Sequence, residues 1–140
     1  MRRNLTPEDL GDLLTQPKNA VLATRFANGE ILLSPVWHEW REGGFEISCG
    51  EDDVKARHIR RDPRVSVVLA EDVPPYRGIE IRGEAAILRP GDLSSLRRIA
   101  IRYLGQEIGQ AYMADADPSR QVLIRVEPGT LRAWDFADEY

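Results

Sequence analysis

The sequence has few of the residues that build common catalytic centres. Cys49 is the sole cysteine, which excludes an intrachain disulfide and any metal site built on a cysteine pair. His38 and His58 are the only histidines and lie far apart in the sequence, so a zinc site is not expected. The chain also lacks the G-x-G of a dinucleotide-binding turn, a Walker phosphate loop and the G-x-S-x-G of a serine hydrolase. These absences disfavour a protein-borne nucleophile or a metal centre.

Long apolar runs are absent as well. No apolar stretch approaches the roughly 18 residues that a membrane-spanning helix needs. The residues after Met1 are polar and show no apolar core of a secretory signal. Together with the single cysteine, this predicts a cytoplasmic protein that has no membrane partner.

Basic residues are outnumbered by acidic ones. Lysine and arginine total 19 against 23 for aspartate and glutamate, which gives a net charge of -4, and only Lys18 and Lys55 are lysines. An acidic chain argues against nucleic acid as a partner. Its 140 residues, 42% of them hydrophobic, are enough for one sizeable core. We therefore predict one domain over residues 1–140.

Short strands dominate what the sequence does contain. Thr6 and Pro7 predict the start of a first helix that Pro17 ends. Strands are predicted at 19–25, 30–40, 45–49, 65–69, 78–88, 121–126 and in a last segment ending near 136. Further helices are predicted at 53–61, from an N-cap at Asp92 to Gly105, and more weakly at 106–113. Many short strands in hairpin order predict a mainly β, α+β protein with a small antiparallel barrel and flanking helices.

Two strands carry further information. Pro35 lies within the strand predicted at 30–40 and cannot donate a ladder hydrogen bond, so that strand must lie at an edge, or be bulged or kinked there. The strand at 78–88 alternates apolar residues with charged ones, which predicts one buried face and one solvated face.

The strongest local feature is a cluster of positive charge at 55–64. It holds five cations (Lys55, Arg57, Arg60, Arg61 and Arg64) and one acid, for a net +4, so the rest of the chain carries -8. Lys55 would lie near the start of a helix, where backbone N–H groups also point outward. Such a place suits a phosphate or a run of carboxylates.

Segments on either side of this cluster predict a groove that leads to it. Ser34–Trp37 and Ser48–Gly50 precede the basic helix, and the turn at 74–78 adds one aromatic residue, Tyr76, and one more cation, Arg77. An aromatic-edged groove ending in positive charge suits a planar cofactor with an anionic tail.

The order of these segments resembles a known family. Asn19-Ala-Val-Leu-Ala-Thr, Asn28-Gly29, Ser34-Pro-Val-Trp37 and the run from Lys55 to Val65 are similar to the split β-barrel flavin and deazaflavin oxidoreductases, of the FMN-binding split-barrel type. Within that family the chain resembles the branch related to pyridoxamine-phosphate oxidase that uses coenzyme F420, an 8-hydroxy-5-deazaflavin. Pro75–Ala85, Tyr103–Gly105 and Trp134–Phe136 extend the likeness to about residues 5–136.

The resemblance implies a homodimer with cofactor bound in two grooves at the subunit interface. It implies that Lys55 meets the cofactor phosphate, supported by Ser48 and Arg57, with Gly50 beside them. Arg60 and Arg61 are implied near the oligoglutamate tail. The resemblance also implies that the strand segment Pro35, Val36 and Trp37 runs along the deazaflavin ring.

The sequence departs from the family pattern in two ways. The arginine and lysine pattern by which true pyridoxamine-phosphate oxidases hold FMN after their second strand is absent, which argues against FMN. Asp53 replaces the serine, threonine or cation of many relatives, and so puts an acid near the expected phosphate.

The function that this resemblance implies is hydride transfer by an F420-dependent oxidoreductase. Reduced deazaflavin would reduce an unsaturated small molecule such as a quinone, an enone or a tetrapyrrole like biliverdin. His38, Tyr76, Arg77 and Tyr112 are candidates for delivering the proton. An FMN-binding oxidase or flavin reductase of the same fold, and a non-catalytic F420 or flavin carrier, remain alternatives. No metal is expected.

Overall fold

The computed structural model describes all 140 residues. Eight strands form one curled antiparallel sheet, and three α-helices flank it. The strands are β1 (Ala20–Arg25), β2 (Ile31–Val36), β3 (Glu39–Arg41), β4 (Gly44–Gly50), β5 (Arg64–Ala70), β6 (Gly78–Leu88), β7 (Gln121–Val126) and β8 (Thr130–Trp134). The helices are α1 (Val54–Arg61), α2 (Ser94–Leu104) and α3 (Gln106–Tyr112). No helix is long and apolar enough to cross a membrane.

The strand order explains how the sheet curls. It is β2-β1-β5-β6-β7-β4-β3, with β8 added on β6. β2 and β3 lie at opposite ends of this order, yet only Trp37 and His38 separate them in the chain. The two ends of the sheet must therefore approach each other, which produces the split antiparallel barrel that the sequence predicted.

β6 joins the two halves of the barrel. Its first part pairs with β5 and β8, whereas Ala85–Leu88 pair with β7. Gly83 lies at this change of partner, and a Cβ there would fall 2.6 Å from the carbonyl oxygen of Glu127. A glycine is therefore required where the turn before β8 crosses the strand.

One main core fills the barrel. It contains 18 buried apolar residues, among them Leu22, Phe45 and Ile81, which have no exposed surface. A smaller cluster of Leu96, Ala100 and Met113 lies between α2 and α3. The alternating burial of β1 and β5 leaves one face of the sheet toward the core and the other toward the outside.

Most predicted elements are confirmed, and β6 and β7 match their predicted bounds. The single strand predicted at 30–40 is wrong, because the ladder stops after Val36 and resumes at Glu39. The backbone N–H of His38 donates instead to the Tyr103 hydroxyl at 3.2 Å, and that hydroxyl donates to the Lys18 carbonyl at 2.6 Å. Pro35 does lie in an edge strand, since β2 pairs only with β1.

Thr6 and Pro7 begin the first helix as predicted, but the extent of that helix and the start of α2 need correction. The first helix is only a 3-10 helix at Pro7–Leu10, because Gly11 adopts a φ of +61° and ends it after one turn. α2 begins at Ser94 with Leu93 in the N-cap position. Asp92 lies one residue earlier, although its carboxylate still accepts the Ser94 N–H at 3.0 Å.

Candidate functional site

A groove of about 600 Å³ opens where the ends of β2 and β4 meet the start of α1. It is lined by Pro35, Val36, Trp37, Ile47, Ser48, Cys49, Gly50, Asp53, Lys55, Leu96, Tyr112, Asp115, Ala116 and Gln121. This volume lies within the usual range for a small-molecule or cofactor site. We refer to the cavity that these residues line as the groove.

The fold brings two strand ends together on one side of the groove. Pro35 and Val36 end β2, and Ser48 to Gly50 end β4. Because β2 and β3 close the curled sheet and β3 pairs with β4, residues at these ends become neighbours. The sequence predicted that these segments line one groove, and the structure confirms that they lie beside each other.

Trp37 forms an aromatic wall with two tyrosines. Its ring stacks on Tyr103 with centroids 5.0 Å apart and an interplanar angle of 15°. Tyr112, from the end of α3, lies against Trp37 at 5.3 Å and is itself exposed. One face of the Trp37 ring is thus covered by Tyr103, and the rest of the wall faces the groove.

Lys55 and Asp53 lie at the start of α1. Asp53 is the N-cap, and its Oδ1 accepts both the Lys55 backbone N–H at 3.0 Å and the Lys55 Nζ at 2.9 Å. Partial burial opposes ionisation of Asp53, but these Lys55 hydrogen bonds outweigh it and lower the pKa of the carboxyl. Asp53 is therefore a charged anion that holds the groove's cation.

The arginines of α1 do not line the groove. Arg60 donates to the Glu51 carbonyl oxygen at 2.7 Å, and Arg61 donates to the Arg25 carbonyl oxygen. Arg57 is exposed, and its side chain makes no hydrogen bond or ion pair. Of the nine residues predicted to bind cofactor, the structure brings together Pro35, Val36, Trp37, Ser48, Gly50 and Lys55.

Sequence comparison assigns the chain to a protein family over almost its whole length. The family model described as pyridoxamine 5'-phosphate oxidase matches residues 6–135, which include every residue of the groove. The chain belongs to the pyridoxamine 5'-phosphate oxidase family. The sequence matches no curated protein at significance.

Solved structures with the same split barrel differ widely in what their names describe. A protein named F420 reductase is 25% identical, with a TM-score of 0.75 over 90% of this chain and 98% of that one. A conserved hypothetical protein from Mycobacterium tuberculosis is 24% identical, with a TM-score of 0.74 over 96% and 88%. The heme storage protein HutZ of Vibrio cholerae is 17% identical, with a TM-score of 0.68 over 89% and 92%. The fold of this family is thus a flavin- and deazaflavin-binding one, and the names of these structures describe different ligands.

Among the four candidates for proton delivery, Tyr112 alone lines the groove of this family member. His38 is fully buried, with its ring edge-on to Phe45 at 5.2 Å and neither ring nitrogen hydrogen-bonded. Burial and the positive charge of Arg102 lower the pKa of His38 to about 4. A neutral, enclosed imidazole outside the groove is a core residue.

Tyr76 and Arg77 lie outside the groove and form other contacts. The Arg77 guanidinium ion-pairs with Glu71 and Asp12, both at 2.8 Å, and these carboxylates raise its pKa. Tyr76 packs edge-on to Phe136 at 6.4 Å. The turn at 74–78, predicted to edge the groove, does not do so within one chain.

Cys49 is half-buried in the groove wall. It packs against the main core. Burial, reinforced by the negative charge of Asp53, raises the pKa of its thiol to about 11. The thiol therefore stays protonated near pH 7, which does not suit a nucleophile.

Five further lining residues were not foreseen: Ile47, Leu96, Asp115, Ala116 and Gln121. Gln121 reaches the groove because β7 pairs with β4 and places it opposite Gly50. Asp115 and Ala116 belong to the segment between α3 and β7. Their sequence carries no motif, so only the tertiary structure shows that these residues line the groove.

Proposed function

We propose that the protein is an F420-dependent oxidoreductase that transfers a hydride between the reduced deazaflavin and an unsaturated small molecule. The observation that carries the proposal is the groove, which joins an apolar wall at Pro35–Trp37 to a lysine at a helix start. The 25% identity to a protein named F420 reductase over most of both chains supports it. A quinone, an enone or a tetrapyrrole such as biliverdin is the proposed substrate class.

The groove residues fit a planar ring with a phosphate. Pro35, Val36 and Trp37 would lie along the ring, and Ser48 and Lys55 offer a hydroxyl and an ammonium to the phosphate. A reduced deazaflavin supplies the hydride when it is bound. Tyr112 is the lining residue with a phenolic hydroxyl, and we propose it as the group that holds or delivers a proton toward the substrate.

FMN is the second candidate, because the structure weakens the charge argument that favoured F420 over FMN. The excess of positive charge in the 55–64 segment was the reason to expect an oligoglutamate tail. In the structure Arg60 and Arg61 are hydrogen-bonded to backbone carbonyls, and Lys55 is the groove's one cation. A single cation matches a single phosphate as well as it matches a longer anionic tail.

The experiment is a fluorescence titration with F420 and with FMN. We expect F420 to bind more tightly, and Lys55→Ala to weaken it about tenfold because a charge-assisted contact is lost. Added salt should weaken binding in the same direction. Lys18→Ala, the same substitution at the chain's other lysine, is the matched control and should leave the affinity unchanged.

Each alternative has its own outcome. Tighter binding of FMN would replace F420 by FMN in the proposal, and indifference to Lys55→Ala would refute the phosphate assignment. Binding of F420H2 without its oxidation by a quinone, an enone or biliverdin would favour a non-catalytic carrier.

We also propose that the protein works as a homodimer in the cytoplasm, where its free Cys49 would stay reduced. On the edge strand β2, Ile31 and Leu33 expose 48% and 64% of their surface, next to Pro35 of the groove. A second copy that covers this face would also complete the open side of the groove. Light scattering should give twice the chain mass, and Leu33→Glu should lower it, whereas Ile108→Glu on α3 should not. A monomer at all concentrations would contradict the proposal.

A further inference from the structure

The backbone N–H of Lys55 and its ammonium group both already donate to an anion of the protein itself. One oxygen of Asp53 accepts from the Lys55 backbone N–H at 3.0 Å and from Nζ at 2.9 Å. The Lys55 side chain is 16% exposed and that of Asp53 is 32% exposed, so the pair is partly shielded from water. Both side chains line the groove.

The groove as a whole is not positively charged. Its charged lining residues are Lys55 against Asp53 and Asp115, which is one cation against two carboxylates. An anionic ligand therefore meets negative charge beside the one ammonium group that attracts it.

A phosphate that approaches Lys55 must compete with the Asp53 carboxylate. It can displace that carboxylate from Nζ or share the ammonium with it, and either arrangement places two anions close together. Like charges in a partly desolvated site repel each other more strongly than in water. The affinity for the phosphate group is thus lower than Lys55 alone would give.

We propose that Asp53 is a specificity-determining residue that pairs with Lys55 and so reduces the preference of the groove for phosphate-bearing ligands. The inference rests on the proposed function, since it assumes that the groove takes a ring ligand with a phosphate at Lys55. Asp53 thereby narrows the difference in affinity between a flavin or deazaflavin that carries a phosphate and the same ring without one.

The test compares ligands that differ in the phosphate end. F420 is paired with its 8-hydroxy-5-deazaflavin chromophore lacking the phosphate and tail, and FMN is paired with riboflavin. Asp53→Ser removes the charge but keeps a side-chain oxygen at the N-cap, so α1 should form normally. Asp52→Asn is the control, because it makes a similar charge change one residue away at a side chain that pairs with Arg120 outside the groove.

We expect Asp53→Ser to strengthen binding of F420 or FMN about three- to tenfold, the range for relief of a partly exposed charge contact. Binding of the phosphate-free partners should change less than about twofold, and Asp52→Asn should change neither class by more than that. An equal gain for both classes of ligand, an equal gain in Asp52→Asn, or no gain at all would overturn the inference. Weaker binding in Asp53→Ser would overturn it too, since Asp53 would then position Lys55 for the phosphate.

A second measurement separates this inference from the proposed function. Inorganic phosphate is titrated while the amide resonance of Lys55 is followed by NMR in the wild type and in Asp53→Ser. Tighter phosphate binding in Asp53→Ser supports the inference even if no flavin or deazaflavin binds the protein, which would refute the proposed function alone. Unchanged phosphate binding overturns the inference whatever the cofactor.

Discussion

His38 gives the most quantitative prediction, because its ring is fully enclosed. Neither ring nitrogen has a hydrogen-bond partner, and Arg102 adds positive charge to the cost of burial, so the pKa falls from 6.5 to about 4. The folded state therefore favours the neutral ring. Above pH 6.5 both states are neutral and stability is fully present; as the pH falls from 6.5 toward 4 the unfolded chain takes up the proton first, and stability is lost.

The size of the effect follows from the two pKa values. Between pH 7 and pH 5 the contribution of His38 to the free energy of unfolding should fall by about 2 kcal/mol. The loss should level off below pH 4, once both states are protonated. Urea denaturation at pH 7 and pH 5 measures it for the wild type and for His38→Phe, whose ring suits the contacts with Phe45 and Tyr103.

The comparison of the two pH values cancels the packing change that the substitution itself causes. Other titrating groups, including His58, whose pKa burial also lowers, contribute equally to both proteins. His38→Gln is a second variant that removes the titration if the phenylalanine overpacks the core. Equal losses of stability in the wild type and both variants would refute the reasoning.

Two further predictions concern stability. Arg77→Met should lower the free energy of unfolding by about 3–5 kcal/mol, because it leaves the buried Glu71 carboxylate without a partner. Adding Glu71→Leu should recover part of that loss in urea unfolding. A double variant no more stable than Arg77→Met would contradict this. Gly78→Ala should lower the free energy of unfolding by about 1–3 kcal/mol, because its Cβ would fall 2.2 Å from the Trp134 ring. Gly50→Ala is the control, since a Cβ there meets nothing within 4 Å. Equal melting temperatures for the two variants would refute the packing argument.

Local patterns predicted the strands well, and long-range contacts explain where they failed. The alternation of apolar and charged residues in β6 depends on neighbouring residues only, and the bounds of that strand were correct. The break at Trp37 and His38 depends on the hydroxyl of Tyr103, which lies 65 residues from the His38 N–H that it accepts. No local pattern contains such a contact.

Some residues of the groove were likewise predicted from the sequence, and others reach it only through long-range contacts. The resemblance and the residue types placed Pro35–Trp37, Ser48–Gly50 and Lys55 together, and the structure does so. Gln121 is absent from that set because it enters through the pairing of β4 with β7, across 71 positions of sequence. Tyr112 was named for its chemistry alone, and only the packing of α3 against Trp37 brings it to the groove.

The charged residues show most clearly what the sequence determines and what the tertiary structure decides. The sequence by itself determined the barrel class, the acidic total of -4 and the +4 concentrated at residues 55–64, because these follow from composition and short-range order. Only the tertiary structure decided that Arg60 and Arg61 bind backbone carbonyls, and that Lys55 faces the groove paired with Asp53. A charge acts through its distance to other groups and its burial, and both are set by the packing of elements far apart in the chain.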